Sequence, residues 1–211
     1  MLGVANRSRA VSGVVLAAGS ARRMNGDKLL LDLGGRPILR EVVEQALAAE
    51  LGEVLVVVRS GNAPAIADAL AALSVRVVEN PRAGEGMGTS IALGAASIAL
   101  TSRALLLLQG DQPFVGADML RALIDAWQER EHLFVASRFD ELTTTPVLFA
   151  RELVGELAAL DGDRGARSIL GKHHGREIAF PEWRGADVDT PEDYARARVL
   201  ASEAAGRRAA P

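Results

Sequence analysis

Three clusters of residues in this chain carry side chains able to hold a phosphorylated ligand. The first lies in LAAGSARRMNGDK, residues 16–28, where Gly19 is followed by Arg22, Arg23 and Lys28 directly after the apolar run GVVLAAG. Glycine and clustered cations after a strand suggest a phosphate-binding loop, yet neither usual fingerprint fits. The P-loop needs Gly-x-x-x-x-Gly-Lys-Ser/Thr, whereas Lys28 follows Asp27 and precedes Leu29; Gly19 also lacks the partners of Gly-x-Gly-x-x-Gly. The second cluster is Gly84, Gly86, Gly88, Thr89 and Ser90, and the third is Gln109-Gly110-Asp111-Gln112-Pro113.

A nucleoside triphosphate with a divalent cation suits this set. Gly19 allows backbone N–H groups close to the phosphates, because no Cβ intervenes. Arg23 can neutralise β- and γ-oxygens, and Lys28 can reach an α-oxygen as a point charge. Asp111 offers a hard oxygen ligand for Mg²⁺, which takes one or two carboxylates and keeps water and phosphate. A second carboxylate is therefore expected. The segment Ala186–Asp193, with Asp187 and Asp189 on one face if it is extended, supplies the candidate. Asp189 or Thr190 could instead simply cap the helix starting at Pro191, and Glu192 and Asp193 read as first-turn acids.

The elements must bring these loops together. Short apolar strands are expected at residues 14–18, 54–58, 75–78, 104–108 and 133–136, with a short segment at 146–149 and a strand near 177–180. Helical spacing covers 37–50, 64–73, 89–100, a stretch from 117 to about 130, 151–160, and a terminal helix from 191. Continuous Val and Leu strands alternating with amphipathic helices indicate an α/β domain with a mostly parallel sheet covered on both faces. In such sheets ligands bind beyond the carboxyl ends of the strands, where all three clusters fall.

Composition narrows the options. The 211 residues are 49% hydrophobic and 24% charged with net charge -3, which suits one globular domain with no global field for nucleic acid or anionic membrane. The absence of cysteine excludes disulfides, thiolate metal sites and Cys nucleophiles. With no secretory signal or membrane-length apolar run, a cytoplasmic protein is expected. The tail AAGRRAAP is expected to fray.

Five stretches in order resemble the MobA-like nucleotidyltransferases, closest to the molybdenum cofactor cytidylyltransferases: LAAGSARRMNGDKLLLDLGGRPIL, NPRAGEGMGTSIALG, LLLLQGDQPFV, LDGDRGARSIL and VDTPEDY. The resemblance runs from about Gly13 to Tyr194. It implies a single domain of the three-layer, Rossmann-like nucleotide-diphospho-sugar transferase fold, with a core of about residues 13–200. It implies transfer of a nucleoside monophosphate to a phosphate with release of pyrophosphate. In this branch the acceptor is the terminal phosphate of molybdopterin, and a molybdoenzyme can receive the product. By position it implies Arg23, Lys28 and Asp111 as catalytic residues and Asp111 and Asp189 as Mg²⁺ ligands. It places nucleotide contacts at Leu16, Ala17, Ala18, Gly19, Asn80, Gly86, Gly88 and Ser90, and the acceptor near Gln112, Arg164 and Arg167. For the two arginines a helix cap or a solvated face are competing readings.

Leu-Ala-Ala-Gly at the loop and GMGTS resemble the cytidylyl rather than the guanylyl branch, so CTP is expected before GTP. Two departures stand out. Asn25 occupies a position where glycine is common, and residues 143–149 (TTTPVLF) lack the Gly-His-Pro that relatives carry before this strand. Competing functions are transfer to a sugar, alcohol or acid phosphate, and a non-catalytic carrier of a nucleotide-bearing cofactor. His173 and His174 read as solvent-facing, and Trp183 as a core residue or a stacking platform.

Overall fold

The computed structural model describes residues 8–19, 28–127 and 132–209. Seven strands form one sheet: β1 (Val11–Ala17), β2 (Glu53–Arg59), β3 (Arg76–Asn80), β4 (Ala104–Gln109), β5 (Phe134–Phe139), β6 (Leu142–Ala150) and β7 (Gly175–Phe180). Their order is β3-β2-β1-β4-β6-β5-β7. β6 alone runs antiparallel to its neighbours; every other pair is parallel. The expected mostly parallel mixed sheet is therefore present.

Burial explains the strand composition. Leu55, Val56, Val57, Leu105 and Leu106 are wholly buried because both faces of the central strands are covered. One face (Val15, Val56, Leu106) packs on Leu39, Val42 and Val43 of α1 (Ile38–Ala48), Ile66 of α2 (Ala63–Ala69), and Leu120 and Leu123 of α4 (Ala117–Trp127). The other (Val14, Leu55, Leu107) packs on Ile91 and Ala95 of α3 (Met87–Ser97), Leu157 of α5 (Val154–Ala158) and Ile169 of α6 (Arg167–Leu170). Alternating side chains thus feed opposite helical layers. The last helix, α7 (Pro191–Ala209), closes a third cluster through Ala197, Val188, Leu33 and Ile38. It includes most of the tail expected to fray.

Chain order sets the site. After β1 the chain winds outward through β2 and β3, then returns through α3 to place β4 on the other side of β1. Loops leaving β1 and β4 consequently diverge just past the register pair Leu16–Gln109, opening a crevice at the carboxyl edge.

Three expectations need correction. The segment read as a short strand at 146–149 is nine residues of β6, joined to β5 by a two-residue turn at Asp140 and Glu141. Asp140 adopts φ 52°, which supports the turn although the sequence lacks a glycine signal. The helix expected over 151–160 opens as a 3₁₀ turn, Arg151–Leu153, before α5. Finally, residues 186–190 form an extended loop and join no strand. The end of the helix expected near residue 130 lies outside the described residues, as do Arg22, Arg23 and Asn25.

Candidate active site

Lys28 opens a 3₁₀ turn, Lys28–Leu30, which the buried Leu29 pins to the core. Its ammonium reaches across the crevice and donates to Asp111 Oδ2 and Asp189 Oδ1, each at 2.6 Å. Lys28 and Asp111 keep only 12% and 15% of their side-chain exposure. Burial alone would lower the Lys28 pKa; the carboxylates of Asp111 and then Asp189 outweigh it and hold the ammonium above its ordinary value.

Asp111 sits where β4 ends. A Cβ at Gly110 would stand 2.9 Å from Leu39 Cδ1 and 3.0 Å from Leu16 O, so only glycine lets the chain turn so tightly against β1. Asp111 O accepts Val188 N–H at 3.0 Å, which fixes the 186–190 loop beside it. The other carboxylate oxygen, Asp111 Oδ1, is buried without a partner among the described residues. An orphaned carboxylate oxygen aimed into an acidic crevice fits a hard cation such as Mg²⁺.

Asp187 completes the acidic group. The residue is exposed, but desolvation of its carboxyl and, second, the charge of Asp111 push its pKa up to about 6, with Asp189 adding to the rise and Gln112 and Lys28 opposing it. Asp187 and Asp189 flank Val188 in a loop that no sheet holds, and Asp189 is the one of the two that is hydrogen-bonded to Lys28.

Helix capping explains why Asp189 is available. Thr190 Oγ1 accepts Asp193 N–H at 3.1 Å, while Asp193 Oδ2 accepts Thr190 N–H at 2.9 Å and Asp189 N–H at 3.2 Å. This reciprocal capping box starts α7 without the Asp189 side chain. Of the alternatives, Thr190 is the cap and Asp189 faces Lys28.

The glycine-rich loop has a packing role. A Cβ on Gly86, at φ 130°, would overlap the Gly162 carbonyl at 2.3 Å; one on Gly88 would meet three carbonyl oxygens of Asp161, Gly162 and Arg164 at 2.8 Å. Gly88 N–H donates to Gly162 O at 2.8 Å. These glycines admit the 161–164 loop onto the start of α3, and the Gly88 amide is not left bare for a phosphate. Asn80 is 3% exposed; its Nδ2 donates to Thr89 Oγ1 (3.0 Å) and Ser90 Oγ (2.9 Å), and its Oδ1 accepts Arg82 N–H. The Asn80 and Ser90 side chains thus brace the loop. Ala17 and Ala18 are buried where β1 ends, and a Cβ at Gly19 would meet no atom within 4 Å among the described residues.

On the proposed acceptor side, Gln112 is 1% exposed and bound to Thr145 and Gly185. Arg167 is exposed and donates to Thr143 O on β6 at 2.7 Å; Arg164 is exposed at the loop that covers Gly88. Trp183 is no core residue. It meets Phe114 edge-on at 5.9 Å and lines a cavity of about 700 Å³ together with Phe139, Leu142, Asp187 and Leu200. His173 lies 2.7 Å from Glu156, and His174 tilts against His132, so neither simply faces water. Among the described residues no three His, Cys, Asp or Glu side chains gather closely enough to form a ready-made metal cage. The Asp pair around Lys28 needs a ligand's own oxygens to complete a cation shell. Sequence reasoning named Gln109 and residues 143–149 but not the bond from Gln109 Nε2 to Thr145 Oγ1, which joins separate strands.

Residues 13–178 match the family model of the MobA-like NTP transferase domain. The purine catabolism protein PucB of Bacillus subtilis is 32% identical over 200 residues, covering 89% of this chain and 96% of that protein. A molybdenum cofactor guanylyltransferase of Cereibacter sphaeroides is 29% identical over 195 residues, covering 89% and 95%. A solved structure of Rv0371C from Mycobacterium tuberculosis in complex with manganese superposes with a TM-score of 0.76 at 30% identity, covering 90% of this chain and 98% of that one.

Proposed function

Because the chain belongs to the MobA-like NTP transferase domain family, we propose that it transfers CMP from CTP to the terminal phosphate of molybdopterin and releases pyrophosphate. The observation that carries this reading is Lys28 held between Asp111 and Asp189 at the point where strand order reverses. A buried cation and two carboxylates there serve a reaction that must bind a triphosphate and neutralise charge developing at its α-phosphorus.

Asp111 and Asp189 would hold Mg²⁺; the buried Asp111 Oδ1, unpartnered among the described residues, and the oxygen-only donor set fit that ion. When bound, it would supply charge neutralisation on the phosphates. Lys28 exchanges a carboxylate for an α-phosphate oxygen and stabilises the charge that grows there. Arg23 holds the leaving pyrophosphate. The acceptor phosphate is already largely ionised at neutral pH, with a second pKa near ~6, so its oxygen attacks without a strong general base. A bond forms between that oxygen and the α-phosphorus as the bond to the β-phosphate oxygen breaks. The cavity beside Asp187, walled by Phe114 and Trp183, suits a flat acceptor body.

Leu-Ala-Ala-Gly at 16–19 supports CTP as donor; the guanylyltransferase relative makes GTP the rival. A second acceptor class is favoured by one observation: Thr145, not His, precedes Pro146, and its hydroxyl is engaged with two glutamines. Pyrophosphate release with CTP and molybdopterin, against sugar and alcohol phosphates, tests the proposal. Release with molybdopterin alone supports it. Release only with another phosphate moves the acceptor and keeps the chemistry.

A further inference from the structure

The 3₁₀ turn Glu182–Gly185 is fastened to the fold by the two residues that follow its tryptophan. Arg184 Nε donates to Phe114 O at 3.1 Å, and its two terminal nitrogens donate to Asp118 Oδ2 and Oδ1 at 2.8 and 2.6 Å. That paired geometry fixes the guanidinium plane. A Cβ at Gly185 would stand 2.5 Å from Phe139 Cδ2, so the glycine lies directly on the Phe139 ring. The guanidinium carbon of Arg184 is also 5.6 Å from the centre of the Trp183 ring.

Trp183 itself stays 43% exposed although the residues after it are anchored. Its ring meets Phe114 edge-on and lines the cavity of about 700 Å³. An indole held by its backbone but left uncovered is a stacking surface prepared before a ligand arrives. The cavity adjoins the nucleotide crevice. Val188 lines it and donates its N–H to Asp111 O at 3.0 Å; Asp193 lines it and accepts Asp189 N–H at 3.2 Å.

The charged lining is almost of one sign. Asp140, Glu141, Glu182, Asp187 and Asp193 stand against the single guanidinium of Arg196, which already pairs with Asp193. Carboxylates only accept hydrogen bonds, so an occupant must bring the donors. A negatively charged occupant would meet like charge.

We propose that Trp183 and this acidic rim select the body of the acceptor: a flat, uncharged heterocycle with N–H donors on its edge stacks on Trp183, and a body bearing a carboxylate is refused. Trp183 is the specificity-determining residue, and Arg184 is a positioning residue that acts through it. The inference rests on the reading of the chain as a nucleotidyltransferase with a phosphorylated acceptor, and narrows that acceptor to one chemical class.

The test is equilibrium dialysis of the whole protein, with CTP and Mg²⁺ present, against 6-hydroxymethylpterin and pterin-6-carboxylate. Both probes are flat and carry the same N–H edge, they differ in one carboxylate, and neither has a phosphate to be turned over. Wild type is expected to bind the uncharged probe about tenfold more tightly, or better. Trp183→Ala should weaken that binding about tenfold and Trp183→Phe about threefold, the range of a lost or reduced stacking partner. Arg184→Met should weaken it in the same measure as Trp183→Ala and should raise acrylamide quenching of the Trp183 emission, read in a Trp127→Phe background. Arg184→Lys should recover part of both. Glu141→Lys combined with Glu182→Lys should bring the two probes within about twofold of each other. Equal binding of both probes by the wild type, binding of neither, or undiminished binding by Trp183→Ala would overturn the proposal. A wild type whose melting temperature does not respond to CTP and Mg²⁺ would contradict the nucleotidyltransferase reading instead, a separate result that leaves probe binding to decide the subsite.

Discussion

Lys28 Nζ lies 2.6 Å from Asp189 Oδ1, joining residues 161 positions apart in the chain. The same nitrogen holds Asp111, so the start of the chain, the end of β4 and the approach to α7 meet at one ammonium. Nucleotidyl transfer needs that convergence, since donor phosphates, cation and acceptor must share one crevice.

Removing the ammonium should therefore hurt chemistry more than folding. Lys28→Ala is expected to lower kcat by about 10²–10³, the usual cost of losing one charge-stabilising donor at a reacting centre. Far-UV circular dichroism should remain that of wild type. A variant with wild-type kcat would remove Lys28 from the mechanism.

The two kinds of glycine separate by their surroundings. Gly88→Ala forces a methyl to 2.8 Å from three carbonyl oxygens and should destabilise the protein by about 1–3 kcal/mol, read from urea midpoints. Gly19→Ala meets no atom within 4 Å among the described residues and should leave stability within about 0.5 kcal/mol. Its cost should appear in nucleotide affinity, because the backbone there is expected to approach phosphate.

This contrast also shows what was legible in the sequence. The short, continuous Val and Leu runs of residues 54–58 and 104–108, alternating with amphipathic helices, pointed to strands covered on both faces, so the layered fold was legible. Lys28 and Asp111 were legible because they sit just beyond such strands. The packing role of Gly86, Gly88 and Asn80 was not legible, because a single sequence does not show that the 161–164 loop packs on α3. The β5–β6 hairpin escaped because Asp140 and Glu141 are ordinary surface residues, and only tertiary pairing places Asp140 at positive φ. The bonds of Thr145 were invisible for the same reason, since its partners are 36 and 33 residues away.

Capping links stability to the site. Asp193→Ala removes the acceptor for three hydrogen bonds, from Asp189 N, Thr190 N and Thr190 Oγ1. A loss of about 1 kcal/mol is expected for the cap. Activity should fall further than that loss explains, because Asp189 is released from its place opposite Lys28. Comparing kcat with the melting temperature checks both parts.

A half-buried carboxylate on β2, Glu53, contributes to acid sensitivity. Burial of Glu53 would raise its pKa, but bonds from Ser12 Oγ (2.7 Å), Ala99 N–H (2.5 Å) and Arg76 (3.3 Å) outweigh it and hold the carboxyl below its ordinary 4.5. A depressed carboxylate stabilises the fold fully above its unfolded pKa, and that contribution disappears as pH falls through the folded value. Urea midpoints should drop between about pH 5 and pH 3, and Glu53→Gln should flatten that slope while lowering stability at neutral pH.

The most direct measurement is the thermal shift produced by CTP and GTP, each with and without Mg²⁺, in wild type and in Asp111→Asn. At ~100 times its dissociation constant a ligand stabilises the native state by roughly 2.7 kcal/mol. CTP is expected to give a Mg²⁺-dependent shift in the wild type that exceeds that of GTP and is lost in Asp111→Asn. An equal shift in Asp111→Asn, or no response of the wild type to either nucleotide, would contradict a nucleotide and cation site built on Lys28, Asp111 and Asp189.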